Sequence, residues 1–156
     1  MKTVDPGHFR SVMGNFATGV TVITATAEAG PVGMTANAVA SLSLEPLLLL
    51  VAFDNTARTL QVVRETERFG VNVLAAGQEE LARLFASKAP EHAKFAEVAH
   101  TVQDGIPVIE GGLAWVGCRL ERLVDGGDHT IGIGAVESAE AGEGRPLLWF
   151  RGGYRA

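Results

Sequence analysis

Residues Leu47 to Phe53 form an unbroken apolar run, LLLLVAF, held between Pro46 and the Asp54-Asn55 pair. A run this short, bounded on both sides by turn-forming residues, predicts a strand buried on both faces and placed at the centre of the core. Neighbouring segments carry the same character. Val20 to Ala27 reads VTVITATA and is rich in β-branched residues; Glu28-Ala29-Gly30-Pro31 and a further extended stretch through Val39 follow it, which predicts a hairpin with a loose turn. Phe69 to Ala75 reads as another strand. Leu113 to Val124 and Thr130 to Glu140 alternate or run apolar on either side of Asp125-Gly126-Gly127-Asp128, a glycine turn suited to a hairpin.

Helical patterns are few and keep no βαβ rhythm. Phe9, Val12, Met13 and Phe16 share one helical face, and Asp5-Pro6 supplies an N-cap with proline behind it, so a first helix is expected to end near Gly19. Thr56 to Glu67 looks helical with Asp54, Asn55 or Thr56 as cap, and Gln78 to Ala86 and Pro90 to Val98 give shorter helices expected to cover barrel openings. Strands joined mainly by turns, with helices at the start and middle, predict a mainly β chain: an antiparallel barrel with peripheral helices. With no repeat or linker in 156 residues, a single domain over 1–156 is expected.

A net charge of −5 argues against a general binder of the phosphate backbone, so no nucleic acid partner is expected. The lone cysteine, Cys118, sits in an apolar alternating run and reads as a small core residue. No segment approaches the ~20 apolar residues needed to cross a bilayer, nor does the start read as a signal peptide, and the expected compartment is cytoplasmic.

Familiar reaction signatures are missing. Gly132-Ile133-Gly134 begins a GxG but Glu137 stands where the third glycine of GxGxxG belongs, and no P-loop, HExxH or GxSxG is present. His8, His92, His100 and His129 are too dispersed to propose a metal by spacing. What stands out is the block from Gly33 to Pro46, GMTANAVASLSLEP, where small and hydroxyl residues crowd into strand-like sequence. Small side chains let a flat ring approach the backbone, and Thr, Asn and Ser offer partners to a polar heterocycle; a polar edge strand with turn residues has the same composition.

On this block, together with FATGVTVITA, NTARTL, the strand Phe69-Gly70-Val71-Asn72-Val73-Leu74, Asp128-His129 and the terminal Leu148-Trp149-Phe150-Arg151-Gly152-Gly153-Tyr154, nearly the whole chain resembles the flavin reductase-like family. These are the small reductase components of two-component flavin-dependent monooxygenases. The resemblance implies a six-stranded FMN-binding split barrel, a homodimer with flavin near the subunit interface, and a transient monooxygenase partner served by flavin transfer. It implies flavin contacts at Met34, Thr35, Ala36, Asn37, Ser41, Ser43 and Leu44, with the phosphate or ribityl end near Thr56, Ala57, Arg58 and Thr59. Hydroxyls at a helix start beside a cation independently suit a phosphate.

Lys88 and Phe95 match a stretch that covers the flavin in relatives, a stretch that solvated helix surface would equally explain. His129 matches the position beside the nicotinamide, and Arg151 and Tyr154 would cover the flavin or bind the dinucleotide unless the terminus frays. The family often carries Ser-x-Thr where this chain has Ala57-Arg58-Thr59. A missing hydrogen bond to a charged group is worth ~1.5–3 kcal/mol, so weak retention of flavin is expected.

The implied activity is hydride transfer from NADH or NADPH to FMN or FAD, with the product handed to a separate oxygenase. Both reacting atoms belong to cofactors, so the absence of a catalytic triad is no objection. Backbone N–H groups from Ala36 to Ser41 are candidates to stabilise reduced flavin. Two alternatives stay open: a non-catalytic flavin-binding barrel, and a flavoenzyme that keeps FMN tightly bound and reduces another acceptor.

Overall fold

The computed structural model describes residues 3–156. The first half holds α1 (Pro6–Met13), β1 (Thr18–Gly19), β2 (Thr21–Ala27), β3 (Gly30–Ala36), β4 (Val39–Leu44), β5 (Leu47–Asp54), α2 (Arg58–Thr66) and β6 (Arg68–Val73). The second holds α3 (Glu79–Ala86), α4 (Glu91–Phe95), β7 (His100–Gln103), β8 (Ile106–Ile109), β9 (Ala114–Gly126), β10 (His129–Ala141), β11 (Leu148–Phe150) and β12 (Gly153–Arg155).

Seven strands form one antiparallel sheet in the order β3-β2-β6-β9-β10-β5-β4. Its two edges, β3 and β4, are consecutive in sequence and joined only by Asn37-Ala38. Laid flat, such a sheet would hold its edges roughly 29 Å apart at about 4.8 Å per step. The chain from Ala36 to Val39 reaches at most about 11 Å. The sheet is therefore rolled, and its edges meet without pairing, which makes a barrel with a split. The stretch expected to run unbroken through Val39 breaks at this point and supplies both edges, which gives the sheet seven strands where the resemblance implies six.

The barrel interior gathers Ile23, Val51, Phe53, Phe69, Val71 and Cys118, and α2 closes it with Leu60 and Val63. Phe53 and Phe69 meet edge to face, 5.9 Å between centroids. A second cluster lies on the other face of β2, where Val20, Val22 and Leu74 are covered by Ala82 and Phe85 of α3, Phe95 of α4, Ile109 and Leu147. Thus α2 plugs the barrel, whereas α3 and α4 cover an outer face and not an opening. Thr21 to Ala25 are buried on both faces, making β2 and not β5 the most enclosed strand.

Two further expectations are corrected. β5 alternates instead of burying both faces: Leu49, Val51 and Phe53 point inward, Leu48, Leu50 and Ala52 are half-buried, and Leu47 is exposed. The reason is position, because β5 lies one strand from the edge and its outer face has no cover among the described residues. Helix α1 starts as expected, with the Asp5 side chain accepting from His8 N–H at 2.9 Å, but ends at Met13, and Phe9, Val12, Met13 and Phe16 all face outward. Two hairpins also escaped the sequence reading: β7–β8 turns at Asp104-Gly105 and β11–β12 at Arg151-Gly152, all four residues at positive φ. Both are the two-residue turns whose twist matches paired strands.

Burial holds the Cys118 thiol far from ionisation, its pKa pushed up to about 12, with the Glu137 carboxylate adding to the effect. A thiolate is the reactive form. Folded protein should leave Cys118 unmodified by a thiol reagent at mildly alkaline pH, and denaturant should release one equivalent; modification at the same rate in both states would refute this packing.

Candidate functional site

A cleft of about 430 Å³ opens where β3, the start of α2 and the α3–α4 connection come together. Its floor is backbone. Gly33 lies under the Phe85 ring, and a Cβ there would meet ring carbons at 2.8 Å, so only glycine leaves the ring in place. The edge of β3 is finished by α4: Glu91 Oε2 accepts from Gly33 N–H at 3.2 Å, and Lys94 Nζ stands 3.5 Å from both Gly33 O and Glu91 Oε1. Thr35 Oγ1 donates to Ala82 O at 2.6 Å and so ties β3 to α3.

One wall is the N-terminus of α2. Asp54, ending β5, accepts from both Thr56 N–H (2.8 Å) and Thr56 Oγ1 (2.6 Å). Those bonds lower its pKa from the ordinary aspartate value, helped by His129 and Lys88 and opposed by slight desolvation. Ala57 occupies the N-cap with no side-chain cap bond, which leaves the first amides of the helix without a side-chain acceptor. Thr59, 1% exposed, lines the same wall, and its Oγ1 has no hydrogen-bond partner among the described residues. Arg58, Lys88 and Lys94 place cations around these donors. An uncapped helix start, an orphaned buried hydroxyl and nearby cations form a donor set that fits a phosphate group.

The cleft thus brings together Met34, Thr35, Thr56, Ala57, Arg58, Thr59 and Lys88 from the residues singled out by sequence. The rest of the small-residue block lies across the split. Ala36 packs into the barrel core, Asn37 Nδ2 donates to Thr18 Oγ1 at 3.2 Å, and Ser41, Ser43 and Leu44 lie along the exposed edge strand β4. Ser43 Oγ accepts from Glu45 N–H at 3.3 Å, and Leu44 is 82% exposed. His129 stands at the rim, paired in the ladder with Asp54, its Nδ1 2.7 Å from Asp128 Oδ1.

Three singled-out residues lie elsewhere. Phe95 is buried behind the cleft wall, its ring edge-on to Phe85 at 5.0 Å. Arg151 lies in a separate groove beside α1, where its Nε donates to Asn15 Oδ1 at 2.9 Å. Tyr154 stacks edge-on against Trp149 at 4.9 Å with Arg83 over its ring. Conversely, sequence reasoning passed over Asp54 as a site residue, and over Phe85, Glu91 and Lys94. Glu91 and Lys94 sit at i, i+3 on a predicted helix, which signals a pair but not its burial against Gly33.

Comparison with known proteins identifies the family. The flavin reductase like domain matches residues 13–156. The reductase subunit HsaB of a flavin-dependent monooxygenase from Mycobacterium tuberculosis is 43% identical over 155 residues, covering 97% of this chain and 82% of that protein. An NADH-dependent flavin reductase from a Rhodococcus species is 38% identical over 98% of this chain and 87% of its own length. Among solved structures, the NADH:FAD oxidoreductase SgcE6 of Streptomyces globisporus, in complex with NAD and FAD fragments, superposes with a TM-score of 0.92 at 38% identity, covering 100% of this chain and 96% of that one. Sequence and fold agree over almost the full length, and the chain belongs to the flavin reductase like domain family.

Proposed function

We propose that this chain is an NAD(P)H:flavin oxidoreductase that supplies reduced flavin to a separate flavin-dependent monooxygenase. The observation that carries the site assignment is the convergence of the uncapped α2 start and the orphaned Thr59 hydroxyl on one cleft. Bound flavin would supply the acceptor for a hydride from reduced nicotinamide. The chain's part is to bind and align. Amides of Arg58 and Thr59, the Thr59 hydroxyl and the Arg58 and Lys88 side chains hold the phosphate end. The β3 backbone at Met34 and Thr35 gives a flat ring a surface to lie on. His129 contacts the dinucleotide from the rim, and Asn37, Ser41, Ser43 and Leu44 supply the remaining flavin contacts. No side chain needs to act as nucleophile or strong base, because alignment alone can account for ~7–11 kcal/mol of barrier lowering.

The homodimer belongs to the same proposal. α1 presents Phe9, Val12, Met13 and Phe16, and the β4–β5 face presents Leu42, Leu44 and Leu47, all exposed in the single chain. Apolar surface gathered in this way marks an interface. A second copy would cover it and bring the β4 residues against a cleft. The cytoplasm, which holds the pool of reduced nicotinamide, is the compartment this chemistry suits, and no helix among the described residues is long and apolar enough to cross a membrane.

Purified protein mixed with NADH or NADPH and excess FMN or FAD should oxidise the nicotinamide in at least one pairing; no turnover in any pairing would leave a flavin binder without reductase activity. Thr59→Val removes an unpartnered hydroxyl, so its melting temperature should match the parent, while FMN affinity falls about tenfold or more and riboflavin affinity holds. Equal loss for both flavins would move the phosphate elsewhere. The parent should sediment at twice the chain mass and Leu44→Glu at the chain mass with its fold intact; a monomeric parent at micromolar concentration would dismiss the dimer.

A further inference from the structure

The hairpin tip that carries His129 is held from outside its own ladder. Its two turn residues, Gly127 and Asp128, extend past the last paired residues, Gly126 and His129, and Gly127 sits at φ +73°. The Asp128 side chain is 95% exposed and supplies no anchor to the body of the protein. Beyond the β5 ladder, which reaches His129 at Asp54, the tip is anchored by Asn55, in the loop between β5 and α2. Its main-chain N–H donates to Asp128 O at 3.1 Å, its Nδ2 donates to Gly127 O at 3.1 Å, and its Oδ1 accepts from Thr130 Oγ1 at 2.6 Å. Thr130 is itself buried, so the contact fixes the tip to a rigid point. The three bonds fall on residues 127, 128 and 130, bracketing position 129 on both sides.

The phosphate wall does not depend on this side chain. Asp54 holds Thr56 through its own carboxylate, and the Thr59 hydroxyl belongs to the body of α2. We propose that Asn55 is a positioning residue of the reductase, whose side chain fixes the height of His129 over the cleft and thereby tunes dinucleotide binding without touching either cofactor. A carboxamide serves this purpose because it donates to one side of the turn and accepts from the other; neither a carboxylate nor a hydroxyl offers both at that span. The proposal rests on the reading of His129 as a dinucleotide contact.

A double-mutant cycle tests it, read as the dissociation constant of NAD+ on FMN-saturated protein by calorimetry, with FMN affinity and melting temperature measured alongside. Asn55→Ala should weaken NAD+ about five- to tenfold, the scale of one to two hydrogen bonds, and leave FMN affinity within about twofold. In a His129→Ala background it should add nothing, because a positioning residue has nothing left to position. Should Asn55→Ala fold poorly, Thr130→Val removes the 2.6 Å bond from the other end and should weaken NAD+ in the same direction by less. Additive losses in the double mutant, parallel losses of NAD+ and FMN, or unchanged NAD+ affinity in Asn55→Ala would each overturn the proposal while sparing His129. An unaffected His129→Ala would remove the role of His129, and that of Asn55 with it.

Discussion

The link Asn37-Ala38 joins opposite edges of a seven-stranded sheet, and the rest of the structure accommodates that constraint. A rolled sheet whose edges meet but do not pair has two unsatisfied rows of backbone groups, which in a free sheet would invite another strand. At Gly33 the chain answers with side chains: Glu91 takes the N–H and Lys94 faces the carbonyl. That solution keeps a strand from adding at the β3 edge. The cleft is therefore a by-product of how the seam is closed, and Phe85, packed on Gly33, leaves no room for a side chain at position 33.

Much of the architecture was legible because it rests on local pattern. Asp5-Pro6 predicts the start of α1, and the turn at 125–128 predicts the β9–β10 hairpin, since capping and turn chemistry are written within a few residues. The hairpin at Asp104-Gly105 was just as legible, as Asp-Gly is a strong two-residue turn signal, whereas Arg151 at φ +49° is not a residue sequence would place there. The LLLLVAF run shows the limit of composition. Apolar character on both faces is the same whether this chain or another copy covers the second face, so the run predicted burial that the single chain does not provide.

The site divides along the same line. Thr56 to Thr59 could be found because hydroxyls and a cation at a helix start form a local signature. Burial of Lys94 and Phe95 could not, since a five-residue helix is too short for periodicity to assign faces. Asn55 was invisible as a site residue for a further reason: its side-chain partners lie 72 and 75 residues away, beyond any spacing argument.

Charge completes the argument. The chain carries 18 acidic residues against 13 Lys and Arg, yet Arg58, Lys88 and Lys94 gather on one cleft whose nearest carboxylates are engaged, Asp54 by Thr56 and Glu91 by Gly33 and Lys94. A buried hydroxyl without a partner costs about 1–3 kcal/mol, so the Thr59 hydroxyl would add to the free energy gained when an anion binds. Ala57 works the other way, because it adds no side-chain donor at the cap. On the proposed reading, that balance would seat a phosphate without gripping it. For a reductase proposed to release its product to another enzyme, such a regime would let alignment be rigid, on strand and helix backbone, while occupancy stayed brief.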